Sequence, residues 1–202
     1  MSIVNSNQIQ YRLHASTPQI SIRAAGMEDV DDVAEIITHS FHLQRGIVGW
    51  FIPLFKVGIA EDLRYRLRTS NQPRETLKSC QQLCLTAILN QWGQPRVVGT
   101  AEVSLRGTKD RDRADRGQYV YISNLAVSQE FRQRGIGQEL LKGCEEVAVS
   151  WGFNDLYLHV MADNDRAHNL YVKTGYQLLN TESIWSLFPW KRTQRLFLHK
   201  RL

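Results

Sequence analysis

The sequence predicts a single domain of mixed α/β class. Three observations predict it. Strand-like and helix-like segments follow one another in the order βααβββαβαββ. A strand-like run ending at Val127 leads through Arg132-x-x-Gly135-x-Gly137 directly into an amphipathic helix. The chain has 202 residues of ordinary globular composition, most simply one domain and long enough to bury a sizeable core.

Each element has its own warrant. Ile20-Ser21-Ile22-Arg23 reads as a first strand. From Glu28 to Phe41, apolar side chains at Val30, Val33, Ala34, Ile37 and Phe41 recur at helical spacing behind an acidic first turn. Residues 42–55 hold Gly46, Gly49, Trp50, Phe51, Pro53 and Phe55, an aromatic loop or a broken helix. Residues 56–70, rich in arginine, form a second helix. Leu83 to Gln91 and Arg96 to Arg106 are strands joined by a Trp-Gly-Gln-Pro turn. After a charged loop at 107–117 comes the strand at 118–127. The helix after the glycines runs to Ser150, with Ile136, Leu140, Leu141, Cys144, Val147 and Ala148 on one face, and Trp151-Gly152 ends it. Leu156 to Val160 is the next strand, and Asn164 to Lys173 a short helix closed by Gly175. Tyr176 to Leu179 and Arg195 to His199 supply the last strands. Residues 1–19 are polar and read as a flexible N-terminus before a domain over 20–202.

Composition narrows the function classes. The net charge of +5 favours anionic partners. The densest basic patch, Lys109 to Arg116, alternates with Asp110, Asp112 and Asp115, which makes a solvated loop rather than a nucleic-acid arm. The three cysteines, Cys80, Cys84 and Cys144, are too few for a disulfide framework and fit a reducing compartment. Cys80 and Cys84 have no His or Cys at ligand spacing nearby, so no metal is expected and both read as small core residues. No apolar run reaches membrane-spanning length, and residues 1–19 lack the apolar stretch of a secretory signal. A cytoplasmic protein is expected, with organellar import left open.

The glycine-bearing turn carries the chemistry. Between a strand and a helix N-terminus it presents several backbone N–H groups in one direction, and the helix dipole adds positive potential there. Glycine at 135 and 137 lets backbone approach an anion without an intervening Cβ. A dinucleotide loop would need glycine or alanine at 140, which is leucine.

Two motifs lie in order along the chain. One is Asn124-Leu125-Ala126-Val127 followed by Arg132-x-x-Gly135-x-Gly137. The other is Leu158-His159-Val160-x-Ala162-x-Asn164-x-x-Ala167-x-x-Leu170-Tyr171-x-x-x-Gly175-Tyr176. With them the chain resembles the GCN5-related N-acetyltransferase (GNAT) superfamily over residues 20–202, most strongly over 119–176. In motif it is closest to the protein N-terminal acetyltransferases.

The resemblance implies a single-domain GNAT fold: a mixed, mostly antiparallel sheet with splayed central strands, flanked by helices. It implies acetyl-CoA as acyl donor, bound between the strands at 118–127 and 155–161. Backbone of Leu125, Ala126 and Val127 would pair with the pantetheine amides. The N–H groups of Arg132, Gln133, Arg134, Gly135, Ile136 and Gly137 would hold the pyrophosphate, and Asn164 would contact the cofactor from the opposite side. Tyr171 would lie near the thioester sulfur as general acid. His159 and Tyr121 match residues that hold a catalytic water in the N-terminal acetyltransferases. Glu102, on the preceding strand, is a third candidate base; its other reading is an outward-facing strand carboxylate.

The acceptor follows from weaker signals. In such proteins the segments Phe41 to Phe55 and Trp185 to Trp190 gate the acceptor, and here both are aromatic: Phe41, Trp50, Phe51, Phe55, then Trp185, Phe188 and Trp190. Such a rim suits a peptide end better than a polyamine. The expected acceptor is a protein N-terminal α-amine, with lysine as a second acceptor. A small arylalkylamine, or a non-catalytic acyl-CoA-binding role, are the alternatives. No nucleic acid or membrane partner is expected, and the protein is expected to be a monomer or homodimer.

Overall fold

The computed structural model describes residues 20–42, 52–70, 81–91, 94–107, 117–185 and 192–202. Every strand and helix expected from the sequence is present, in the expected order; the N-terminus at 1–19, the aromatic stretch at 43–51 and the charged loop at 108–116 lie outside the described residues. The strands are β1 Ile20–Ala24, β2 Gln82–Gln91, β3 Gln94–Gly107, β4 Gln118–Val127, β5 Asp155–Met161, β6 Gln177–Trp185 and β7 Arg192–Arg201. The helices are α1 Val30–His42, α2 Ile52–Ser70, α3 Ile136–Ser150 and α4 Asp165–Lys173. Most bounds agree within two residues, and three elements differ by more. Helix α2 starts at Ile52, taking Pro53 into its first turn, where the missing N–H costs nothing. Strands β6 and β7 extend well beyond the short apolar cores that announce them.

The seven strands form one sheet in the order β1-β2-β3-β4-β5-β7-β6. All neighbours are antiparallel except β4 and β5. That parallel pairing holds only at Val120–Leu156, Tyr121–Tyr157 and Ile122–Leu158. Beyond it β4 pairs only with β3, and β5 only with β7.

A register break accompanies the parting. Thr100 of β3 faces Ala126 and Glu102 faces Ser123, so β4 carries one extra residue there. Such a bulge bends its strand and strengthens the local twist. Asn124 sits in it with φ 53°, a left-handed conformation that Asn tolerates better than most side chains.

Period-two alternation gives the sheet two apolar faces. On one, Leu140, Leu141, Cys144 and Ala148 of α3 pack on Val103, Val120, Ile122, Leu156 and Leu158. On the other, Val30, Val33, Ala34 and Ile37 of α1, with Ala60 and Leu63 of α2, pack on Ile88, Val97 and Ala126. Asp29 fixes the entrance to α1. Its buried carboxylate accepts from Gly26 N at 2.7 Å and from Arg23 Nη1 and Nη2 at 2.6 and 2.8 Å. Among the described residues no helix is long and apolar enough to cross a membrane.

Candidate active site

Strand β4 ends where the turn begins. Ser128 N donates to Val98 O at 2.9 Å, and a single 3-10 turn, Gln129–Phe131, buries Phe131 under the loop. Arg132 closes that turn through its own N–H, 3.4 Å from Gln129 O, and its Nε donates back to Val127 O at 3.0 Å. The backbone then turns left-handed at Gln133 (φ 62°) and again at Gly135 (φ 81°), the residue that caps α3.

The N–H groups of Gln133, Arg134, Gly135, Ile136 and Gly137 meet no acceptor among the described residues. Alternation of left- and right-handed backbone makes such donors converge into an anion-binding concavity, and the α3 dipole adds to it. The donors therefore begin at Gln133, because the N–H of Arg132 is spent on the turn. The two glycines serve different needs. Gly135 has open space around it and is required by its positive φ. A Cβ on Gly137 would lie 2.9 Å from Leu170 Cδ2, so glycine there lets α3 approach α4.

The other expected cofactor residues surround the parting strands. Leu125 and Val127 are half-buried against the α3 core, on the part of β4 that no longer pairs with β5. The Ala126 side chain is buried in the opposite core, so only its backbone is available. Asn164 caps α4, its Oδ1 accepting from Ala167 N at 3.2 Å, which leaves its amide NH2 to act outward. Tyr171 is buried on α4, edge-on to Tyr176 with ring centroids 5.9 Å apart. Burial pushes its pKa up, with Cys144 and Tyr121 adding to the effect. The phenol is therefore protonated at neutral pH.

Tyr121 and His159 meet where β4 and β5 last pair. The Tyr121 hydroxyl lies 2.9 Å from His159 Nδ1. His159 stacks on Phe197 of β7 at 4.5 Å, and the Arg106 guanidinium lies 3.5 Å from the centre of the Tyr121 ring. Burial holds the His159 pKa below its ordinary value, and Arg195 and Arg106 lower it further, while Glu182 opposes them. Burial raises the Tyr121 pKa against the opposing charges of Arg106 and Arg195. Both rings are neutral near pH 7, the state a proton acceptor needs.

Glu102 stands differently from either sequence reading. It is not outward-facing but buried, because α2 covers its face of the sheet. Its two oxygens are taken, Oε1 by Arg66 Nη1 at 2.6 Å and Oε2 by Asn124 Nδ2 at 2.7 Å. A carboxylate so engaged fastens the β4 bulge to α2. Beside it the Cys84 thiol, 3.4 Å from Thr100 Oγ1, is pushed up to about 12 by burial, and Cys144 is buried in the core.

Several residues of the site escape sequence reasoning. Glu182, Arg195 and Arg106 surround the Tyr121–His159 pair, and Arg66 holds Glu102. Nothing in their local sequence distinguishes them from surface polar residues. The aromatic rim side chains Phe41, Trp50, Phe51, Phe55, Trp185, Phe188 and Trp190, like Cys80 and the loop Lys109 to Arg116, lie outside the described residues.

Known proteins resemble the chain in sequence and in fold. The model of the acetyltransferase (GNAT) family matches residues 53–176. GCN5-related N-acetyltransferase 10, chloroplastic, of Arabidopsis thaliana is 27% identical over 203 residues, covering 98% of this chain and 78% of its own. The ribosomal-protein-alanine N-acetyltransferase of Brucella melitensis superposes with a TM-score of 0.63 at 21% identity, over 90% of this chain and 99% of that one. Arabidopsis thaliana NAA60, solved in complex with a bisubstrate analogue, superposes with a TM-score of 0.61 at 19% identity, over 90% and 97% of the two chains.

The amide concavity makes a direct prediction. Gly135→Glu should weaken acetyl-CoA binding at least about tenfold by calorimetry, because a carboxylate then stands where phosphate would. Gly135→Ala carries the backbone strain of positive φ without the charge and should weaken it less. Equal affinity in a folded Gly135→Glu protein would contradict the phosphate-site assignment.

Proposed function

The chain belongs to the acetyltransferase (GNAT) family, and we propose that the amine it acetylates is the α-amine of a peptide or protein. As an acetyl-CoA-dependent N-acetyltransferase it moves an acetyl group from acetyl-CoA to an amine. The observation that carries the acceptor proposal is the neutral, hydrogen-bonded Tyr121–His159 pair at the divergence of β4 and β5.

The reaction needs a neutral amine at the thioester and a proton for the departing sulfur. An α-amine has a pKa near 7.7–8.0, so about a quarter to two-fifths of it is neutral at pH 7.5, against about 0.1% of a lysine at 10.4. A histidine with a lowered pKa is a weak base. It suits an acceptor that needs little help, and lysine is the slower second acceptor.

In this reading each group has one task. The amides of Gln133 to Gly137 hold the pyrophosphate, and Arg132 keeps the loop on β4. The unpaired end of β4, Leu125 to Val127, adds the pantetheine arm as a strand adds to a sheet edge. The Asn164 amide contacts that arm from the α4 side. Tyr121 and His159 take the amine proton, and Tyr171 protonates the leaving thiolate. The small, odd number of cysteines fits a reducing compartment.

Thiol release from acetyl-CoA, followed with a panel of acceptors, tests the proposal. Peptides with a free α-amine should react fastest. Peptides blocked at the N-terminus but carrying lysine should be slower, and arylalkylamines slower still. A preference for the arylalkylamine would reassign the acceptor, and absence of turnover with every amine would refute the proposed acceptor. Tyr171→Phe should lower kcat by about 10²–10⁴, the usual contribution of a general acid. A kcat within about twofold of the parent, with chemistry rate-limiting, would make Tyr171 a packing residue only.

A further inference from the structure

His159 has a second neighbour that the proton-accepting pair does not use. Its Nε2 is buried and lies 3.5 Å from Glu182 Oε1, an ion-pair distance just beyond a hydrogen bond. Glu182 is held in turn. Its Oε2 accepts from Arg195 Nη2 at 2.6 Å and from Nε at 3.2 Å, and the two residues are direct cross-strand partners on β6 and β7. A line of polar groups therefore crosses four strands, from Tyr121 on β4 through His159 on β5 to Glu182 on β6 and Arg195 on β7.

We propose that Glu182, anchored by Arg195, is a positioning residue that keeps the His159 proton on Nε2 and its lone pair on Nδ1, facing the Tyr121 hydroxyl. The inference rests on the reading of His159 as proton acceptor. A neutral imidazole carries one N–H, and the hydrogen bond at one nitrogen decides the role of the other. A carboxylate can only accept, so the nitrogen facing Glu182 must be the donor. Nδ1 must then accept from Tyr121. Long contacts of this kind in a protein without substrate tighten in the reacting complex.

The step balances. The ammonium of the acceptor gives a proton to the Tyr121 oxygen as the Tyr121 hydroxyl proton passes to Nδ1. The imidazolium so formed faces the Glu182 carboxylate, while Arg195 on β7 and Arg106 on β3 oppose it. The neutral amine forms the C–N bond and the C–S bond breaks. Tyr171 gives its proton to sulfur and regains the second proton that nitrogen loses. His159 returns its proton to solvent.

The arrangement makes an isosteric change worse than a truncation. In Glu182→Gln the two Arg195 donors claim the amide oxygen, so the amide NH2 faces His159 and needs a lone pair on Nε2. The proton then moves to Nδ1, and the base is lost. Glu182→Ala removes the constraint without imposing the wrong tautomer. Side-chain 15N NMR should show Nε2–H in the parent protein and Nδ1–H in Glu182→Gln. The kcat/KM for an α-amine peptide should fall about 10²-fold or more in Glu182→Gln, against about tenfold in Glu182→Ala. In Glu182→Ala the acid limb of the pH profile should move to lower pH, because the carboxylate no longer supports the imidazolium.

Nδ1–H in the parent protein, or Glu182→Ala more damaging than Glu182→Gln, would overturn the proposal. His159→Ala separates this from the underlying reading. A large loss in His159→Ala that rising pH partly restores, with both Glu182 variants fully active, refutes the positioning role alone. Full activity in His159→Ala refutes the base assignment and the positioning role together.

Discussion

Beyond Ile122 and Leu158, β4 and β5 no longer share hydrogen bonds, and the site is built around that divergence. Its cause is local and named. One extra residue in β4 places Asn124 in a left-handed conformation and swings the strand away. The bulge is fastened from below by Glu102, a buried carboxylate that also binds Arg66 of α2. Removing Arg66 leaves the buried Glu102 carboxylate without its ionic partner, a destabilising change. The bend is thus held by groups that cannot easily let go, and it leaves the end of β4 with one unpaired edge.

Two kinds of electrostatics meet at that edge. At the start of α3, backbone N–H groups converge without acceptors, which suits a phosphate. A few residues back along β4, burial keeps Tyr121 neutral against two nearby arginines, and burial together with the same arginines keeps His159 neutral. In the proposed reaction the same sheet would offer a positive concavity to the donor and a neutral proton acceptor to the amine. Tyr171, kept protonated by burial, would be the complementary acid from α4.

Much of this was legible in the sequence because it is local. Period-two and helical spacing marked the elements, and Gly135 marked a turn that needs positive φ. The contacts across strands were not legible. Glu102 could be read as an outward-facing strand carboxylate, and only the packing of α2 makes that side an interior. Strand β6 was expected to end at Leu179, since a polar run through Ser183 follows. It continues because an edge strand with exposed Asn180, Thr181 and Ser183 needs no apolar face. That misreading concealed the register that brings Glu182 to Arg195. Asn164 was read as a ligand contact, and its capping of α4 is a second task, performed by its Oδ1 rather than its NH2.

The central claim is that acetyl-CoA occupies the gap opened by the β4 bulge, with its phosphates on the amides before α3. Amide hydrogen exchange with and without acetyl-CoA tests it most directly. The account predicts new protection at Gln133 to Gly137 and along Ser123 to Val127, with β1 and β2 unchanged. Protection confined to other elements, or none at saturating acetyl-CoA, would contradict it.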